Sequence, residues 1–144
     1  MDVTGPVKID DVIAATRFRA ALRTLTSSSE RKTRRHGITP QQYQLLLVIK
    51  GTPDRSEQLT VGSVAAALQV AQSTATELIA RAEDRGLVSR TGSTEDARRS
   101  IIRLTELGED VFARCFVELS QERGALIEAM TELGATLNPE ARGA

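Results

Sequence analysis

Apolar residues recur at helical spacing along most of this chain, and the breaks in that rhythm divide it into elements. Ile9, Val12, Ile13, Thr16, Leu22 and Leu25 form a loose helical stripe. Asp10 and Asp11 open it, where carboxylates complement the helix dipole. Arg34, Arg35 and His36 close it before Gly37, so the pattern predicts a first helix from Ile9 to Arg35. Thr39 then caps a second helix with Pro40 at its first position. Its expected buried side is Tyr43, Leu46, Leu47 and the stem of Lys50. Gly51 to Gln58 is rich in turn-forming residues. Leu59-Thr60-Val61 reads as a short strand, and Thr60 equally suits the cap of an apolar third helix, Val61 to Leu68.

After a short break, Gln72-Ser73-Thr74-Ala75-Thr76-Glu77-Leu78-Ile79-Ala80-Arg81 predicts a helix with a polar beginning and Leu78, Ile79 and Ala82 turned to the core. Gly86 stops it. Leu87 to Thr91 and Arg99 to Leu104 read as two strands of a hairpin joined by the polar loop Gly92 to Arg98. Thr105 caps a long final helical region in which Phe112, Phe116, Leu119, Arg123, Leu126, Met130 and Leu133 alternate at spacings of four and three. Gly124 and Gly134 weaken that seam and predict a break or a separate last helix.

The predicted class is therefore mainly α with a small β-hairpin wing (α+β): a winged helix-turn-helix between long N- and C-terminal dimerisation helices. The divisions are 1–37 for the first dimerisation helix, 38–105 for the winged unit and 106–144 for the terminal helices and tail. Two long helices with apolar stripes cannot both fold back on so small a centre, and a second copy of the chain is the simplest cover. Ile9, Val12, Ile13, Leu119, Leu126, Met130 and Leu133 are the expected interface.

Composition sharpens this picture in two places. The 144 residues have a formal net charge of zero, which argues against an indiscriminate polyanion binder. The charge is unevenly placed: residues 17 to 35 hold seven cations against Glu30 alone, and residues 105 to 144 hold eight acids against three Arg. Arg outnumbers Lys sixteen to three, which suits bidentate phosphate and guanine contacts and is equally the mark of a GC-rich genome. No apolar run reaches the length of a membrane span and no leader is visible at Met1 to Lys8, so a cytoplasmic protein without membrane contact is expected. One Cys, Cys115, excludes an intrachain disulfide framework and reads as a buried apolar side chain.

The chemistry points to reading rather than reaction. Short polar groups near a helix N-terminus, here Gln72, Ser73, Thr74 and Thr76, can meet phosphates and base edges. An Arg at a hairpin tip, Arg98 beside Arg99, can enter a minor groove, with Asp96 orienting it. The bland alternatives are a surface helix with a polar first turn and a surface ion pair of little value. No nucleophile motif, phosphate loop, or His and Cys cluster is present, so neither a catalytic site, a metal nor a cofactor is expected.

Asp96-Ala97-Arg98-Arg99-Ser100-Ile101-Ile102-Arg103-Leu104-Thr105, followed by Glu106-Leu107-Gly108, resembles the wing signature of the MarR (multiple antibiotic resistance regulator) family. Arg85-Gly86-Leu87-Val88 resembles that family's exit from its recognition helix, and Ile38 to Tyr43 the start of its second helix. The resemblance covers about residues 8 to 135. It implies a dimer of winged-helix subunits that binds pseudo-palindromic double-stranded DNA operators, usually as a repressor, and is released by a small ligand or oxidant. Carried onto this chain, the DNA-binding candidates are Gln72, Ser73, Thr74, Thr76, Glu77, Arg81, Thr94, Asp96, Arg98 and Arg99. Phe18, Arg23, Tyr43, Leu47, Phe112 and Phe116 are candidates for an effector pocket suited to a small aromatic acid, against the alternative of plain core packing. Glu77 departs from the pattern, standing where many relatives carry Arg, so that one expected DNA contact is either absent or replaced by an acceptor for cytosine N4. Ala71 replaces the usual Ser or Asp cap, and Ala82 a bulkier residue. Glu77, Glu95 and the zero net charge keep a second function open, a winged-helix protein-interaction module without DNA binding.

Overall fold

The computed structural model describes residues 5–92 and 99–137. Its elements follow in the order α1 (Ile9–Arg35), α2 (Pro40–Lys50), β1 (Leu59–Thr60), α3 (Val61–Leu68), α4 (Gln72–Asp84), β2 (Val88–Thr91), β3 (Ile101–Leu104), α5 (Glu106–Glu118) and α6 (Ser120–Leu137). The chain divides into two compact units. One is Lys32 to Val117, the winged unit; the other combines the residues up to Arg31 with those from Glu118 onward.

The winged unit is built on helix ends that the sequence specifies closely. Thr39 accepts from the Gln42 backbone N–H at 3.0 Å, and the Gln42 side chain accepts from the Thr39 N–H at 3.0 Å. That reciprocal capping box satisfies two donors that a helix start otherwise leaves open. Thr60 does two things at once: it pairs with Ile101 in the sheet and accepts from Ser63 N–H as the cap of α3. Val61 accordingly begins the helix instead of extending the strand. The sheet is three-stranded and antiparallel in the order β1-β3-β2, with Leu59 opposite Ile102 and Val88 opposite Leu104. Ile102 sits on the central strand and is fully buried.

Leu45, Leu46, Ile49, Val64 and Ile79 are likewise without solvent exposure. Leu45 and Ile49 widen the predicted apolar side of α2, and Leu47 is only half-buried. This helix contacts α3, α4 and β3, so more than one of its faces must be apolar. Lys50 closes its end. Its ammonium reaches Glu57 at 2.6 Å and Glu109 at 2.9 Å, tying the loop before β1 and the start of α5 to α2. The Glu109 hydrogen bond, followed by that of Glu57, raises the Lys50 pKa above its usual 10.5.

The second unit is different in kind. Within α1 its buried side chains are small or polar, Ala14, Ser28 and Ser29, while Ile9, Val12, Ile13 and Leu22 are exposed. The predicted break in the terminal helices falls at the single residue Leu119, between α5 and α6, and not at Gly124 or Gly134, which lie inside α6. Arg17 pairs with Glu132 across α1 and α6. Among the described residues no helix is long and apolar enough to cross a membrane.

Candidate nucleic-acid interface

Helix α4 is held by one face and free on the other. Ala75, Ile79 and Ala82 return at spacings of four and three and are fully buried. Small Ala at two of these positions lets the helix lie close on the core, which gives a physical reason for Ala82. Ser73, Thr74, Glu77 and Arg81 form the exposed side. The turn entering α4 runs through Gln69, which adopts a left-handed conformation at φ 56° and donates its N–H back to Ala66. No side chain caps α4, because Ala71 has nothing to offer. Its first N–H groups therefore keep their free donor capacity on the exposed face.

The exit from α4 is fixed more firmly. Gly86 takes φ +72°, a conformation that side-chain-bearing residues disfavour, and Leu87 N–H then returns to Ala82 O at 2.9 Å. Thr105 locks that turn to the next helix. Its N–H donates to Leu87 O at 3.0 Å, its hydroxyl donates to Gly86 O, and its Oγ1 accepts from Gly108 N–H at 3.0 Å. A Cβ on Gly108 would fall 2.0 Å from Leu87 O, so this glycine is required by close packing. The L-T-x-x-G spacing after the wing is thus the joint between the α4 exit, β2 and α5.

The structure places the predicted residues unequally. Gln72, Ser73, Thr74, Thr76, Glu77 and Arg81 are brought together on exposed α4. Thr76 has its hydroxyl hydrogen engaged with Gln72 O at 2.9 Å. Arg81 Nη2 donates to Glu77 Oε1 at 2.6 Å. Arg99 is exposed just before β3, whereas Thr94, Asp96 and Arg98 lie outside the described residues. A groove of about 530 Å³ runs between α2 and α4, lined by Gln41, Gln44, Val70, Thr74, Leu78 and Arg81 among others. Leu78, expected in the core, is half-buried along this groove. Gln41 and Gln44 were not among the sequence candidates. Two exposed Gln one turn apart just after a Thr-Pro helix start were the available signal.

Of the effector candidates, Tyr43, Phe112 and Phe116 form a ring cluster in the winged unit, with Tyr43 stacked on Phe112 at 5.9 Å and Phe112 tilted to Phe116 at 5.5 Å. Tyr43 and Phe112 are buried, Phe116 is partly exposed and Leu47 is half-buried. Phe18 and Arg23 belong to the other unit, where Phe18 is half-buried and Arg23 exposed. Cys115 is fully buried. Among the described residues no group of three or more His, Cys, Asp or Glu could hold a metal.

Comparison with known proteins bears on this geometry. Residues 36–99 match the MarR family. A transcriptional regulatory protein described for the hcr operon of Thauera aromatica is 31% identical over 97 residues, which cover 67% of this chain and 52% of that protein. The chain thus spans about half the length of this curated relative. AbsC, a MarR family transcriptional regulator from Streptomyces coelicolor, superposes with a TM-score of 0.66 at 24% identity, covering 97% of both chains. A second regulator of that family and organism, solved in complex with DNA, superposes at 0.65 with 22% identity, covering 99% of this chain and 92% of its own. The last two likenesses establish the fold.

Proposed function

We propose that the chain, whose residues 36–99 match the MarR family, is a transcriptional regulator of that family and acts as a homodimeric, sequence-specific DNA-binding repressor. The single observation that carries this reading is the two-faced α4. Its Ala75, Ile79 and Ala82 side is sealed into the core, and its Ser73, Thr74, Glu77 and Arg81 side stands open. A helix so held can enter a major groove and offer short polar side chains to base edges. Arg99, exposed just before β3, supports a wing contact, and the sequence candidates Thr94, Asp96 and Arg98 lie outside the described residues.

Dimerisation through α1 and α6 is supported by the exposed apolar residues Ile9, Val12, Ile13 and Met130. Two copies of α4 must then stand about 34 to 36 Å apart to reach successive major grooves. Release by a small aromatic ligand is supported by the Tyr43–Phe112–Phe116 cluster. A ligand that separates these rings shifts the population between spacings by its differential affinity for the two forms.

The test is selection from a pool of random-sequence duplexes at fixed salt. The expected result is an enriched site with two half-sites whose centres lie about 10 base pairs apart. Retention on no duplex would replace this reading with the winged-helix protein-interaction module, which the exposed Glu77 carboxylate on the outer face of α4 favours.

A further inference from the structure

A carboxylate stands on the face of α4 that the proposed function turns toward DNA. The Glu77 side chain is 64% exposed, and an isolated carboxylate there would repel phosphate oxygens. It is not isolated. Arg81, one turn further and 72% exposed, donates to it at 2.6 Å. As a surface ion pair in the i, i+4 arrangement this contributes little to folding. Its placement is more telling. Glu77 and Arg81 are the charged residues lining the groove between α2 and α4, and every other lining residue is neutral: Thr39, Gln41, Gln42, Gln44, Thr74 and the apolar Leu68, Val70 and Leu78.

Pairing leaves both groups with capacity to spare. Arg81 commits Nη2 and retains its other guanidinium N–H donors, while the carboxylate retains Oε2 as an acceptor. The pair therefore presents a donor fork and an acceptor side by side. A G·C pair shows the complementary array in the major groove, with guanine O6 and N7 accepting beside the donating cytosine N4 amino group.

We propose that Glu77 and Arg81 act as one reading element that selects a G·C pair in the bound site, with Arg81 on guanine O6 and N7 and Glu77 on cytosine N4. Glu77 has a second role as a positioning residue, holding Arg81 toward the bases and away from the phosphates. This inference rests on the DNA-binding reading and deepens it.

The test repeats the duplex selection with the full-length wild type, E77Q, E77A and R81A, after circular dichroism has checked each fold. The wild type enriches a G·C column that all three variants alter. E77Q moves it toward A·T, because Gln pairs with adenine N6 and N7. R81A flattens it and weakens binding by about tenfold, within the range that one bidentate base contact supplies. E77A flattens it and steepens the salt dependence, since the released Arg81 turns to phosphate and adds about one unit to the slope. The same column preference in all four proteins overturns the inference and leaves a plain surface ion pair. A change confined to R81A overturns the paired action. A wild type that enriches no site at all overturns the DNA-binding reading with it, a result distinct from the other two.

Discussion

The winged unit and the helical unit of this chain bury their residues by opposite rules. In the winged unit, Leu45, Leu46, Ile49, Val64, Ile79 and Ile102 are wholly shielded from solvent, and short helices and strands converge on them from several sides. In the helical unit, Leu119 is the large apolar side chain that reaches comparable burial, while Ile9, Ile127, Met130 and Leu137 are each more than half exposed. The first unit has completed its core from its own residues. The second has apolar surface left over on two helices, and surface of that kind is what an obligate interface covers. The difference matches the proposed division of labour, with a DNA reader where the core is closed and an assembly surface where it is open.

The strongest way to break this contrast is to open the closed core. Ile102→Ala should destabilise the winged unit by about 2–5 kcal/mol, the range for truncating a fully buried aliphatic side chain. Urea unfolding followed by circular dichroism measures it. A loss under about 1 kcal/mol would show that the buried Ile102 does not hold the winged unit together.

The next test addresses the open surface. Ile13→Asp combined with Met130→Asp places charge on both exposed apolar faces. It should weaken self-association at least tenfold, or about 1.4 kcal/mol, while leaving the fold of each subunit intact. Sedimentation across a dilution series reads this. Thermal stability should depend on protein concentration in the wild type and lose that dependence in the double variant.

A smaller effect concerns the turn into α4. Gln69 occupies the left-handed region that glycine tolerates, so Gln69→Gly should stabilise the winged unit by up to about 1 kcal/mol and raise the melting temperature. An unchanged or lower melting temperature would mean that the Gln69 side chain contributes more than its backbone strain removes.

The smallest effect is electrostatic and depends on pH. Lys50 has a raised pKa through Glu109 and Glu57, so the charged form is favoured by folding. Its contribution is complete at pH 7 and fades as the pH climbs above 10.5 through the folded-state value. Lys50→Gln should therefore reduce stability at neutral pH, and the difference from wild type should shrink steadily in alkaline titration. A difference that persists unchanged at pH 12 would assign it to packing of the Lys50 stem.

The same contrast governs what could be read before the fold was known. Helix α1 was legible to the residue, Ile9 to Arg35, because Asp10 and Asp11 mark its start and Gly37 its end. The Thr39-Pro40 start of α2 and the α4 exit at Gly86-Leu87 were equally plain, since caps and left-handed stops are local chemistry. Leu45 and Ile49 escaped because periodicity reports one apolar face, whereas α2 is enclosed on several. The Leu119 break escaped because no Gly or Pro marks it. Gly124 and Gly134 pointed elsewhere, and α6 absorbs both at roughly 1 kcal/mol each. For the site, the exposed strip of α4 followed from its polar positions. The groove with Gln41 and Gln44 did not, because it exists only where two helices distant in sequence meet.

The stoichiometry of the protein on a selected duplex tests the proposed reader and the proposed assembly surface together. Sedimentation of the complex should give two chains per duplex, with a protein mass near twice 15.6 kDa. One chain per duplex at saturation would contradict the two-fold arrangement, and the absence of any complex would contradict the reader itself.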